Sequence, residues 1–156
     1  MGEKGNETDV VPEETPRKRD PKDCLIWVSC RQLQVTSTDE VADSHWDCDV
    51  SLDGGVREIG RMLVPSRNYV ADPGLYWTID RNGRCGTQIP LSFVITVRSH
   101  PSQQIGVIEG SVQAVRTYLC PSETDQEVFE VRAEYGQIWA NFRFVFRVKL
   151  ICGDPT

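Results

Sequence analysis

The stretch Phe142-Arg143-Phe144-Val145-Phe146-Arg147-Val148-Lys149-Leu150 decides how the chain is read. Phe142, Phe144, Phe146, Val148 and Leu150 share one face, with Arg143, Arg147 and Lys149 opposite. Successive side chains of a strand point to opposite sides, so this alternation marks a half-buried strand in an antiparallel sheet. The preceding segment, residues 128–135, repeats the pattern. There Phe129, Val131, Ala133 and Tyr135 face one way, and Glu130, Arg132 and Glu134 the other. Gly136-Gln137 between the two segments is a turn.

Further upstream the period stays at two. Residues 25–36, 75–79, 89–98 and 112–120 read as strands, with Pro90 at a strand start or an edge. Asp53-Gly54-Gly55 is a turn signal, and Asp80-Arg81-Asn82-Gly83 is a tight turn whose Asn-Gly suits positive φ. Only residues 39–43 and 56–62 offer room for short helices. The expectation is an all-β fold: an Ig-like antiparallel β-sandwich of about eight strands.

The chain has 156 residues, which suits one domain, expected over residues 22–156. Residues 1–21 mix charged residues, Pro and Thr around one apolar pair, Val10-Val11, and read as a disordered lead or interdomain linker. Asn6-Glu7-Thr8 is a glycosylation sequon in that lead, and Arg17-Lys18-Arg19 reads as a solvated charge cluster in preference to a processing site. Met1 to Asp20 has no apolar centre of a secretory leader, which is read as a mature segment with Met1 added for expression. No apolar stretch is long enough for a membrane span, so no membrane insertion of this segment is expected. The net charge is −6. Affinity for nucleic acid comes from cations that displace phosphate counterions, so nucleic acid is excluded as a partner. An acidic surface instead steers basic proteins towards it.

The six cysteines, Cys24, Cys30, Cys48, Cys85, Cys120 and Cys152, are scattered singly. Zinc sites draw on close pairs such as C-x-x-C, which are absent, and the two histidines, His45 and His100, supply no such pair. No metal and no cofactor is expected. Three disulfides in an oxidising compartment are expected in preference to reduced structural thiols, and with them a secreted protein.

No catalytic constellation emerges. His45 and His100 have no activated serine in view, and the cysteines are better used as bridges than as nucleophiles. Asp47 and Asp49 flank Cys48 and could chelate calcium, but no acidic loop with a closing glutamate follows, so they read as a solvated strand face. The chain is therefore expected not to be an enzyme. The acidic run Glu123, Asp125, Glu127, Glu130 and Glu134 borders the 128–135 strand and serves either to guard a sheet edge or to dock a basic partner. With Tyr69, Leu75 and Tyr76 it supplies the candidate partner contacts.

The order of cysteines and their neighbours resembles the ZP-N domain of zona pellucida-type egg-coat proteins. Val28-Ser29-Cys30-Arg31-Gln32-Leu33-Gln34-Val35 is similar to that family's opening strand, and Cys48 stands for its second cysteine. Cys85-Gly86-Thr87 matches its Cys-Gly-Thr, Cys120 follows with Tyr118 nearby, and Ile138-Trp139-Ala140-Asn141-Phe142 is similar to its aromatic closing strand. The spacing from Cys48 to Cys85 is longer than the family's. The resemblance implies bridges Cys30–Cys120 and Cys48–Cys85, and leaves Cys24 with Cys152. It implies an extracellular egg-coat module that contributes to a filament with other ZP modules. Such a module binds a basic sperm protein, such as lysin, in species-specific gamete recognition. The rival expectation is a secreted, viral-type decoy for a basic cytokine or chemokine.

Overall fold

The computed structural model describes residues 21–41, 44–99 and 107–153. Asn6, Arg17-Lys18-Arg19 and His100 lie outside the described residues, as does all but the end of the 1–21 lead. Among the described residues nine strands follow one another: β1 (Cys24–Ser37), β2 (Ser44–Leu52), β3 (Gly55–Val64), β4 (Asn68–Ala71), β5 (Leu75–Arg81), β6 (Gln88–Ser99), β7 (Glu109–Leu119), β8 (Ser122–Tyr135) and β9 (Ile138–Cys152). One 3-10 turn, Asp39–Val41, falls where a short helix was expected. Residues 56–62, the other candidate helix, lie instead in β3, paired with β2 from Ser44↔Val64 to Leu52↔Gly55. Tertiary pairing decides such a segment, because a local propensity is worth less than a ladder of hydrogen bonds beside a buried face.

The strands form two antiparallel sheets of an Ig-like sandwich. In the first, β4 and β5 share one edge of β1, and the order continues through β9 to β8; the second runs β3–β2–β6–β7. β1 and β9 pair along their length, from Cys24↔Cys152 to Ser37↔Ala140, with one bulge between Cys30 and Gln32. The turn joining β2 to β3 has positive φ at Asp53 (49°) and Gly54 (84°), the backbone of a two-residue hairpin loop that matches strand twist. Asp53 tolerates that conformation while its carboxylate is engaged. It accepts the Ser92 backbone N–H at 2.7 Å and pairs with Arg81.

The core is built from the inward positions that alternation marks. Phe142, Phe144, Phe146, Val148 and Leu150 of β9 are all buried, as are Phe129, Val131 and Ala133 of β8. Phe93 of β6 meets Phe129 at 4.7 Å and Phe146 at 5.4 Å between ring centroids, and Phe129 meets Phe146 at 5.6 Å. Offset and edge-on contacts of this kind suit the ring quadrupoles. Tyr135 departs from its expected face: it is 65% exposed, at the end of β8 where Gly136 turns the chain.

The disulfide expectation is corrected. Two bridges are present, Cys24–Cys120 and Cys85–Cys152, while Cys30 and Cys48 are buried free thiols. None of Cys30–Cys120, Cys48–Cys85 and Cys24–Cys152 is formed. A strand rises about 3.3 Å per residue, so Cys30 lies roughly 20 Å along β1 from Cys24. Cys120 sits at the Cys24 end, out of reach of Cys30. Cys48 is held mid-strand between Gly60 and Val97, whereas Cys85 lies in the β5–β6 connection. Cys24 and Cys152 do oppose each other in the ladder, yet their sulfurs bond elsewhere.

Phe146→Ala should cost about 3–5 kcal/mol, since the site is closed by Phe93, Phe129 and Trp77 and cannot collapse. Tyr135→Ala should stay within about 0.5 kcal/mol. Urea denaturation of both variants, read as midpoint shifts at constant slope, checks the contrast.

Candidate recognition surfaces

The outer face of the first sheet carries a shallow groove of about 420 Å³. Alternation sends Trp27 and Ser29 of β1 outward, Tyr76 and Thr78 of β5 beside them, and Arg147 and Lys149 of β9 on the other flank. Register places Trp27 between Thr78 and Lys149, and Ser29 between Tyr76 and Arg147. Lys149 Nζ lies 5.6 Å from the centroid of Trp27. Arg147 reaches Glu123 at 3.4 Å and Asp125 at 3.7 Å on β8. Trp27 is 41% exposed and Tyr76 67%, so two aromatic surfaces stand open beside this charged row.

The candidate contacts divide. Tyr76 and Glu123 line the groove and Asp125 flanks it. Glu130 accepts from Asn141 Nδ2 at 3.0 Å and Glu134 pairs with Arg132 at 3.4 Å, both further along β8. Leu75 is removed from the contact set, being buried on the inner side of β5. Tyr69, opposite Val35, packs partly against the core. Glu127 also leaves the acidic row. A bulge between Thr124 and Glu127 shifts the β8 register, and the carboxylate turns towards β7. There it accepts the Tyr118 hydroxyl at 2.7 Å and meets Arg116 at 3.4 Å. Burial, then the bond to Glu127, holds the Tyr118 phenol well above its ordinary value.

A second concavity, of about 600 Å³, lies on the outer face of the other sheet. Asp47 and Asp49 of β2, Thr96 and Arg98 of β6, and Glu109 and Ser111 of β7 line it. Register sets Asp47 between Arg61 of β3 and Arg98 of β6, and Arg98 beside Glu109, so carboxylates and guanidinium groups alternate across this face. The alternation of Asp47 and Asp49 was visible in the sequence; Glu109 joins them only through the pairing of β7 with β6. Among the described residues no group of three or more His, Cys, Asp or Glu is arranged to hold a metal ion.

Cys30 and Cys48 are chemically quiet. Burial pushes the Cys30 thiol up to about 11 and the Cys48 thiol up to about 12, the latter helped by the neighbouring Asp49 and Asp47 carboxylates.

No family model matches the chain, and neither does any curated protein. Among solved structures, a C2 domain aligns with a TM-score of 0.42 at 7% identity, covering 81% of this chain and 98% of that one.

A thiol-reactive chromogenic disulfide at pH about 8 should find no fast-reacting thiol in the native domain and two after unfolding in guanidinium. Tyr118 gives a pH signature. Its folded phenol holds a proton that the unfolded chain releases above about pH 10, so the stability it confers is present below that pH and is lost as pH rises. Urea midpoints should therefore fall less between about pH 9 and 11 in Tyr118→Phe than in the parent.

Proposed function

We propose that this domain is an extracellular recognition module that binds a basic protein without chemical turnover. The observation that carries the reading is the concavity in which Asp49 and Glu109, with Asp47 beside them, line the outer face around Arg98, on a chain of net charge −6. Carboxylates converging on the rim of a rigid sheet focus field lines outward and raise the encounter rate with cations. An arginine or lysine of the partner would seat among them, while the aromatic groove of the opposite sheet offers a separate apolar contact. The two disulfides are compatible with an extracellular protein.

The setting implied by the resemblance is an egg coat, with the module contributing to a filament and meeting a basic sperm protein of the lysin kind, as in a repeat of the abalone vitelline envelope receptor for lysin. The bridges present do not follow that family's pairing, so this setting rests on the order of the sequence motifs alone.

The test is the binding of lysin to immobilised domain across a salt series. The association rate should fall about tenfold or more from low to high ionic strength. Asp49→Asn combined with Glu109→Gln should remove most of that dependence, and Glu130→Gln, on the other sheet, should not. An association rate indifferent to salt and to these changes would sink the proposal. Binding of a basic chemokine but not of lysin would keep the surface and remove the egg-coat setting.

A further inference from the structure

Four half-cystines from separate parts of the chain meet at one pole of the sandwich. Cys24 opens β1, Cys85 lies between β5 and β6, Cys120 between β7 and β8, and Cys152 closes β9. The two bridges differ in access. Cys24 and Cys120 are both 0% exposed, whereas Cys85 and Cys152 are only half-buried. They also touch, with Cys120 Sγ and Cys152 Sγ 3.7 Å apart.

The backbone holds this arrangement independently of the sulfur bonds. Cys24 faces Cys152 across the β1–β9 ladder. The Gly86 N–H donates to the Cys120 carbonyl at 2.8 Å, and the Cys120 N–H to the Thr87 carbonyl at 3.1 Å. The Cys85 N–H donates to the Lys22 carbonyl at 2.8 Å, and the Gly153 N–H to the Asp23 carbonyl at 2.9 Å. Opening one bridge therefore leaves the remaining sulfurs near their places.

We propose that the outer bridge is the inlet through which an external thiol reaches the buried one, with Cys152 as the relay. The thiolate of a small monothiol attacks Cys85 Sγ. A mixed disulfide forms on Cys85, the Cys85–Cys152 bond breaks, and Cys152 departs as a thiolate. That thiolate, already against Cys120 Sγ, attacks it. The Cys120–Cys152 bond forms, the Cys24–Cys120 bond breaks, and Cys24 leaves as a thiolate that takes a proton from water. Each step exchanges one disulfide for another, so no net oxidation or reduction occurs and no further reagent is needed. Cys30 and Cys48 take no part, since they lie mid-strand in the core. The device makes the pole responsive to extracellular thiols through its half-buried bridge, and it is independent of what the outer faces bind.

The test begins with Cys85→Ser, which leaves Cys152 as a permanent thiol. Peptide mapping after acid quench and alkylation under denaturing conditions should find Cys120 joined to Cys152 and Cys24 alkylated in a substantial fraction of molecules. Cys24–Cys120 retained throughout, with Cys152 alkylated, would overturn the relay. Because this variant could misfold, the parent domain is also followed in glutathione. A Cys120–Cys152 peptide should rise before Cys24 and Cys120 are both free. Cys85→Ser combined with Cys152→Ser should then keep the buried bridge about tenfold longer than the parent does, because attack depends on access. Equal loss of that bridge in both proteins, with no Cys120–Cys152 peptide, refutes the mechanism.

Discussion

The pairing of β1 with β9 is the constraint on which the rest of the structure depends. These are the two interior strands of their sheet, and their ladder runs from Cys24↔Cys152 at one pole to Ser37↔Ala140 at the other. Its inner face supplies Ile26, Val28, Leu33 and Val35 against Phe142, Phe144, Phe146 and Val148, all buried. Phe146 then reaches across to Phe93 of the opposite sheet. This contact ties the two layers together, and each large ring removed from water contributes on the order of 2–3 kcal/mol. The outer face of the same ladder aims Trp27, Arg147 and Lys149 into the groove. One register fixes core and surface together, since a slip by one residue would exchange the two.

The cross-links act at the ends of this ladder and not through its middle. Both bridges tie connections or strand ends at one pole, where backbone hydrogen bonds already gather the four cysteines. Closing loops of 96 and 67 residues restricts the unfolded chain, each by about 4–5 kcal/mol taken singly in the chain-entropy account. The two remaining cysteines behave as small apolar residues of the core, a role in which free cysteine is ordinary.

Charge is distributed by face. The β8 row that looks acidic in sequence is largely answered by Arg147, Asn141 and Arg132 from its own sheet. Exposed pairs of this kind contribute little to stability, and they also neutralise the row as a field source. On the other sheet, Asp49 and Glu109 line the concavity around Arg98, while Asp47 stands between Arg98 and Arg61. Strand register, and not the density of acids along the chain, decides which carboxylates gather on one face.

The sequence alone determined the fold class and most of the core. Alternation in residues 128–135 and 142–150 is a local property that survives in any antiparallel sheet, and Phe129, Phe142, Phe144 and Phe146 face inward as it requires. Asp53-Gly54 announced its turn because positive φ selects such residues. What surrounds those strands needed the tertiary structure. The sequence offered residues 56–62 of β3 as a short helix, because this exposed edge lacks clean alternation. It could not reveal the β8 bulge, which takes Glu127 out of the acidic row and gives it to Tyr118. It placed Tyr76, Glu123 and Asp125 among the contacts but missed Trp27, Arg147 and Lys149, which become neighbours only through register. The cysteine pairing lay furthest from its reach. A sulfur bonds to whatever the fold brings within a few ångströms, and that proximity is set by strand order and length, which no spacing along the chain encodes.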